Sequence, residues 1–288
     1  MPEILVILNP AARSERAKNT WKKIEKFPGC KLRITTAPGD ARAAAERAVT
    51  EGFKTIVAAG GDGTVNDVVN GIAGADVALG ILPVGTMNVF AAELGLPSDL
   101  AEAWAVIREG RTRKIDLARA NARYFVQLAG VGLDAQVVQE TSWNFKKNFG
   151  PLSYVISAAQ IAARKPPRLF VEADGVEREG SFVLIGNGRY YGGPVAVFKD
   201  ARIDDGKLDV LIFKNLGYLD IARYLGTIFM GKHTRLSDVE YFQTKKAAVR
   251  SDENVPVEVD GEVVAQLPVT FRISSRKLRV LVPVAPAA

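Results

Sequence analysis

Thr55-Ile56-Val57-Ala58-Ala59-Gly60-Gly61-Asp62-Gly63-Thr64-Val65-Asn66 is the stretch on which the reading of this chain turns. Its first five residues are an apolar, partly β-branched run with the signature of a buried strand, Thr55–Ala59. Gly60–Gly63 then forms a tight turn, and Thr64–Asn70 opens a helix. Three glycines let the backbone approach a ligand closely, and a helix N-terminus offers unpaired amides to an anion. Phosphate is the natural guest. Asp62 would repel a bare phosphate, so its presence makes sense where a divalent cation or a hydroxyl stands between them. The turn lacks the Gly-Lys-Ser/Thr of a Walker A loop, and Asn66 stands where a dinucleotide fingerprint has its third glycine. A plain strand-to-helix connection is the other reading of the same residues.

Moving outward, the neighbouring segments repeat the pattern. Ile4–Leu8 reads as a strand, Ser14–Phe27 as a helix with Ser14 as cap, and Lys31–Thr36 as a second strand. Asp40 caps an alanine-rich helix that stops near Gly52; Val77–Ile81 is a strand and Thr86–Leu94 a helix. Strands alternating with helices of this length imply a parallel sheet covered on both faces. A second turn, Leu82-Pro83-Val84-Gly85-Thr86-Met87-Asn88, and the pair Asn9-Pro10 both follow strands. All three elements would therefore face the crevice at the carboxyl ends of the strands, where open α/β sheets bind ligands.

Past residue 120 the pattern changes to short strands: Tyr124–Leu128, Leu169–Ala173, Phe182–Ile185, Leu208–Phe213, Ala247–Arg250, Val257–Val259, Val269–Ile273 and Leu278–Val282. Asp174-Gly175 and Asp260-Gly261 sit between apolar runs as two-residue hairpin turns do. Ser153–Ala163 and Leu219–Met230 read as helices. The second of these repeats Ile221, Leu225 and Ile228 at helical spacing, the pattern of a helix packed on a sheet; the alternative is a face that meets a membrane. The expected fold is an α/β domain over residues 1–120 and a β-rich, mostly antiparallel domain over 121–288.

Composition narrows the function classes. The chain has 288 residues, about two domains at roughly 150 residues each. A single cysteine, Cys30, excludes an internal disulfide framework, and a single histidine, His233, leaves no support for a Ser/His/Asp hydrolase. The net charge of +6 favours anionic partners without choosing among them. Nucleic acid has only that charge behind it. No secretory pattern opens the chain, and the uncharged stretch Val77–Ala92 is broken by Gly80, Pro83 and Gly85, short of the about 20 residues of a spanning helix. A soluble, cytoplasmic protein is expected.

Taken in order, Asn9-Pro10, Gly60-Gly61-Asp62-Gly63-Thr64 with Asn66, and Pro83-Val84-Gly85-Thr86-Met87-Asn88 resemble the diacylglycerol kinase catalytic-domain family of lipid kinases. The resemblance continues in Gly130-Val131-Gly132-Leu133-Asp134-Ala135, Asn187-Gly188-Arg189-Tyr190-Tyr191-Gly192-Gly193, Asp204-Asp205-Gly206-Lys207-Leu208 and Asp260-Gly261-Glu262. It spans nearly the whole chain. The glycine turn alone is shared with NAD kinases and phosphofructokinases, whereas the ordered set is specific.

The resemblance implies an enzyme that moves the γ-phosphate of ATP, with Mg2+, onto a lipid hydroxyl. Its nucleotide site would fall on Asn9, Pro10, Ala11, Ala12, Arg13, Thr36, Gly60, Gly61, Asp62, Gly63, Thr64, Val65, Asn66, Asp67, Gly85, Thr86 and Asn88. Asp62 would contact the magnesium or its water. A structural metal loop would fall on Arg202, Asp205 and Lys207, with Asp205 supplying the carboxylate and the other two only carbonyls; a turn stabilised by Asp and Gly is the alternative. An acidic residue of the hairpin would deprotonate the lipid hydroxyl, Glu262 ahead of Asp260. The chain departs from the family at Val89, where bacterial members usually have an Asp in the magnesium network. Arg13 also replaces a common small residue, and Asp67 a frequent Glu. The expected partner is a lipid at an anionic membrane surface, met transiently, with a homodimer left open. An NAD kinase-like enzyme and a non-catalytic lipid- or nucleotide-binding protein are the competing readings.

Overall fold

The structure, a computed structural model, describes residues 4–10, 15–132, 166–193 and 195–284. The expected helix Ser153–Ala163 and residues Ala11, Ala12, Arg13 and Ser14 lie outside the described residues, as do Leu133, Asp134 and Ala135. The chain divides into two compact units: Met1–Leu117 with Gly192–Pro194 and Ser275–Ala288, and Ala118–Tyr191 with Val195–Ser274. The residues after Ser274 thus belong with the first unit, although the sequence gives no sign of a return after residue 121.

The first unit alternates β1 (Ile4–Leu8), α1 (Glu15–Ile24), β2 (Cys30–Ile34), α2 (Asp40–Thr50), β3 (Thr55–Gly60), α3 (Asp62–Ile72), β4 (Ala78–Pro83), α4 (Val89–Glu93) and α5 (Leu100–Glu109). Its strands run parallel in the order β2-β1-β3-β4. The far end of the last strand of the chain, β18 (Val269–Val282), joins β4 in parallel at Arg279↔Ala78 and Val280↔Leu79. Beyond their half-buried first residues, Ile4 and Thr55, β1 and β3 are without polar side chains and buried, as inner strands of a parallel sheet are. Val6, Leu8, Val57, Ala59 and Leu82 pack with Ala103, Trp104 and Ile107 of α5. α2 and α3 approach closely because small residues meet: a side chain at Gly71 would run into the Arg42 carbonyl and Ala45. Arg111–Leu117, at the start of β5 (Arg111–Ala120), brings the fully buried Asp116 to Lys277, with which it forms an ion pair.

The second unit holds β6 (Arg123–Phe125), β7 (Leu128–Val131), β8 (Leu169–Ala173), β9 (Val176–Gly180), β10 (Phe182–Gly186), β11 (Tyr190–Tyr191), β12 (Val195–Ala196), β13 (Leu208–Phe213), α6 (Tyr218–Phe229), β14 (Val239–Thr244), β15 (Lys246–Arg250), β16 (Pro256–Val259) and β17 (Glu262–Gln266). One antiparallel sheet runs β14-β13-β10-β7-β16-β17. Another joins the start of β18 to β15, β8 and β9, also antiparallel. Val183, Ile185, Val210 and Val257 of the first sheet share a core with Val171, Val249 and Phe271 of the second, which makes a sandwich. The expected fold class, parallel α/β followed by antiparallel β, is borne out. Both Asp-Gly hairpins are present: Asp174 and Gly175 have φ 53° and 77°, and Asp260 and Gly261 have φ 48° and 87°, the left-handed pair a type I′ turn requires.

Several expected elements are corrected. α3 begins at Asp62, two residues before Thr64, because Gly61 is extended (φ −93°, ψ −171°) and its carbonyl already accepts from Val65 N–H at 3.1 Å. The expected helix Thr86–Leu94 contracts to α4 because Asn88 is left-handed (φ 47°, ψ 47°). Asp40 is the first helical residue and Gly39 the cap. Val269–Ile273 and Leu278–Val282 are one strand, which changes partner from β15 to β4 along its length. α5 was not expected, although Asp99 caps it by accepting from Ala101 and Glu102 N–H at 2.8 and 3.1 Å. Strands β5, β11, β12 and β14 were not expected either, whereas β9 and β17 are the second strands of the two expected hairpins.

Candidate functional site

In the first unit the strand order places the functional turns. The connection from β1 leaves toward β2, and β3 lies on β1's other side, so the chain switches direction between β1 and β3, the point where open α/β sheets form their crevice. Asn9 ends β1 there, its N–H donating to Ala59 O at 3.0 Å, and its side-chain amide donates to Thr64 Oγ1 at 3.1 Å. The second glycine turn is tied to the first: Val84 and Gly85 N–H both donate to Gly60 O, at 3.1 and 3.2 Å. The Asn88 amide donates to Gly85 O at 2.8 Å, and Phe90 N–H donates to Asp62 Oδ1 at 3.2 Å. Gly61 supplies no side-chain cap, so the first amides of α3, at Asp62, Gly63 and Thr64, have no intrahelical acceptor. Asn9, Gly60–Thr64, Gly85 and Asn88 are thus brought together.

The glycines here are required by packing. A Cβ built on Gly85 would overlap the Gly61 backbone. Gly85→Ala should therefore force the two turns apart at a cost of about 1–3 kcal/mol. We expect a lower unfolding midpoint in thermal denaturation; an unchanged midpoint would show that the turns have slack.

Other expected nucleotide residues are used differently. Val65 and Asn66 are buried at 3% and 1% exposure, and both the carbonyl and the side-chain oxygen of Asn66 accept from the Asn70 amide. Val65 N–H is spent on Gly61 O. Asp67 is half-buried farther along the helix, while Pro10 and Thr86 are exposed. The Thr36 N–H and hydroxyl both donate to Asp40 Oδ2 at 2.8 Å. Those bonds, with one from Ala37 N–H, hold the Asp40 carboxyl below the usual carboxylate range. Val89 is buried within the fold, so the turn takes no carboxylate from that position.

In the second unit the hairpin tip separates its two acids. Asp260 accepts from three successive amides, Val126 N–H on Oδ2 at 3.0 Å and Gln127 and Leu128 N–H on Oδ1 at 3.0 and 3.1 Å. Its own N–H donates to Leu128 O at 2.8 Å. Buried Glu258 accepts from Gly261 N–H at 2.8 Å. Asp260 is therefore a clamp between the turn and segment 126–128. The side chain of Glu262 is 44% exposed and paired with Arg123 at 3.1 Å. Asn187 and Gln127 buttress the same segment: the Asn187 amide donates to Val126 O at 2.9 Å and the Gln127 amide to Tyr190 O at 3.0 Å. Asp260→Ala should cost about 3 kcal/mol, on the order of 1 kcal/mol for each amide left without its acceptor. Urea unfolding of Asp260→Ala beside Asp260→Asn checks this, with Asn intermediate because it keeps one carbonyl oxygen.

The loop carrying Arg202, Asp205 and Lys207 lines a cavity of about 580 Å3 with Asp200, Tyr241 and Gln243. Asp205 N–H donates to Arg202 O at 3.3 Å and Asp205 Oδ1 accepts from Lys207 N–H at 3.0 Å, so the carboxylate also braces its own turn. Lys207 Nζ donates to Gln243 at 3.2 Å. Beneath it, burial raises the Asp209 carboxyl above the usual range, against hydrogen bonds from Tyr241 and Gln243. Among the described residues no three His, Cys, Asp or Glu side chains gather into a metal cluster. Sequence reasoning missed Arg123, Gln127 and the Phe90 N–H; their roles come from partners far along the chain, and no local pattern marks them.

Comparison with known proteins places the whole chain. The family described as "Diacylglycerol kinase catalytic domain" matches residues 3–120, and "YegS C-terminal NAD kinase beta sandwich-like domain" matches residues 127–282. A diacylglycerol kinase of Staphylococcus carnosus (strain TM300) is 32% identical, covering 98% of this chain and 89% of its own. One of Staphylococcus aureus (strain MRSA252) is 33% identical, covering 96% and 91%. A crystal structure of a diacylglycerol kinase from Bacillus anthracis str. Sterne superposes with a TM-score of 0.80 at 26% identity, covering 98% of this chain and 97% of that one. Fold, ordered motifs and relatives agree: this chain belongs to the diacylglycerol kinase catalytic domain family.

Proposed function

We propose that the protein is an ATP-dependent lipid kinase that transfers the γ-phosphate of ATP to the hydroxyl of diacylglycerol or a related lipid, working transiently at an anionic membrane surface in the cytoplasm. The observation that carries the reading is the uncapped start of α3, with glycines at Gly60, Gly61 and Gly63, a second glycine turn bonded to it, and Asp62 as its carboxylate. Such a donor set fits a magnesium nucleotide: amides for phosphate oxygens and one carboxylate for a hard cation.

Phosphoryl transfer asks mainly for alignment and neutralisation of spreading charge. The amides of Asp62, Gly63 and Thr64 would bind phosphate oxygens, with Asn9 steadying Thr64 and Asn88 steadying Gly85. Asp62 would hold magnesium, which when bound offsets the negative charge of the phosphates. Glu262 would take the proton of the lipid hydroxyl, whose oxygen then attacks the γ-phosphorus as the bond to the bridging oxygen of ADP breaks. Arg123 keeps the Glu262 carboxylate in place. A second cation would be structural, held by the Asp205 carboxylate with the carbonyls of Arg202 and Lys207, an all-oxygen set of the kind hard cations take.

The test is transfer of labelled γ-phosphate from ATP and magnesium to a panel of lipids in mixed micelles, with NAD and a no-acceptor control alongside. A phosphorylated lipid supports the reading and names its acceptor class. Phosphorylated NAD, or no product on any acceptor while ATP still binds, overturns it.

A further inference from the structure

α6 has two apolar faces, and only one of them is used by the fold. Ile221 and Tyr224 are buried and Ile228 packs beside them; the Tyr224 ring lies 4.8 Å from that of Phe213, and its hydroxyl donates to Asp238 at 2.7 Å. The side turned away carries Tyr218, Ala222, Leu225 and Phe229, at i, i+4, i+7 and i+11, flanked by Leu219 and Met230. Leu219 is 86% exposed, Phe229 75%, Met230 61% and Tyr218 56%. Of the eleven large hydrophobic side chains exposed among the described residues, five are Tyr218, Leu219, Leu225, Phe229 and Met230, a concentration that scattered surface apolars do not show.

The charges around the stripe are sorted. Exposed Lys232 and Arg235 follow its C-terminal end, and the Lys199 ammonium lies against Gly231. The acids of the same region, Asp220 and Asp238, are both engaged by Arg223. Cations thus rim one end of an apolar strip, the arrangement that suits anionic headgroups over acyl chains. A helix of 12 residues is about 18 Å long and presents roughly 200 Å2 on one side, well short of the about 800 Å2 per partner of a stable dimer. It is also too short to cross a bilayer, and among the described residues no helix is long and apolar enough to do so.

We infer that the outer face of α6 docks on an anionic membrane, with Leu219, Phe229 and Met230 entering the acyl boundary and Lys199, Lys232 and Arg235 meeting lipid phosphates. The inference rests on the lipid-kinase reading for its purpose, but its test does not need turnover. Wild type, Leu219→Glu/Phe229→Glu and Lys232→Glu/Arg235→Glu are sedimented with vesicles of phosphatidylcholine alone and mixed with phosphatidylglycerol. The apolar double variant should lose about 100-fold in partition, a factor of about ten for each side chain kept from the acyl boundary. The basic double variant should lose about tenfold, on the mixed vesicles only. Leu219→Ser/Phe229→Ser removes the same apolar area without adding charge and should also lose partition. Transfer to a short-chain diacylglycerol dissolved as monomer should be unchanged in every variant, which shows that they are folded. Partition of the apolar variants equal to wild type overturns the surface, as does a wild-type dimer in sedimentation velocity that Phe229→Glu splits. Failure of wild type to phosphorylate any lipid, as monomer or in mixed micelles, overturns the kinase reading instead and leaves partition to decide the surface.

Discussion

Glu262→Gln is expected to lower kcat for lipid phosphorylation by about 10²–10⁴-fold, the range for removing a general base, with the lipid KM little changed. Gln has the same shape and its carbonyl oxygen can still accept from Arg123, so the side chain stays where Arg123 holds it. What it loses is the ability to take a proton. The hairpin itself is built by Asp260 and Gly261, whose bonds to segment 126–128 and to Glu258 are untouched. Stability should therefore match wild type, in contrast to Asp260→Ala. Steady-state kinetics with an unfolding curve for each variant separates the two acids. Turnover of Glu262→Gln within tenfold of wild type would remove it as the base.

Asp62→Asn should reduce transfer with ATP and magnesium by about 10²–10³-fold, the scale of losing one preorganised electrostatic group. The substitution keeps an oxygen for the Phe90 N–H and removes only the charge. Because that charge sits at the start of α3, a stability loss of about 0.3–1 kcal/mol follows from the helix dipole. The sign of the binding change is diagnostic. Without metal, the variant should bind ATP as well as wild type or better, since a negative charge beside the phosphates is gone. With magnesium, wild type should gain affinity and the variant should not. Calorimetric titrations with and without the metal give both numbers, and equal gains would show that Asp62 does not hold the cation.

Much of the first unit was legible in the sequence because its inner strands are uninterrupted apolar runs that end on glycine or Asn-Pro. The missed pieces have physical reasons. β5, Arg-Thr-Arg-Lys-Ile-Asp-Leu-Ala-Arg-Ala, hides its strand character under four cations, and β11 and β12 are two residues each, too short to leave a pattern. β18 read as two strands because Ser274–Lys277 is polar; it stays extended through a change of partner that only the tertiary structure supplies. At the site, the glycine turn and the Asp-Gly-Glu tip were visible, but the division of labour between Asp260 and Glu262 was not. It is decided by amides more than 130 residues away. Thr36 was expected on the nucleotide, and Asp40, four residues on, takes both its donors.

That the first unit takes its fifth parallel strand from the last residues of the chain bears on how the protein is made. A ribosome delivers the N-terminus first. The open edge of β4 must therefore wait, unpaired, through the synthesis of the entire second unit before Arg279 and Val280 reach it. Over the same interval Asp116 is without Lys277. The first unit cannot be completed before the second has been synthesised, and a chain cut near residue 120 would expose a strand edge able to recruit another copy of itself. The segment from Ser275 onward thus follows the whole second unit, and the sheet carrying the glycine turns is finished only when it arrives.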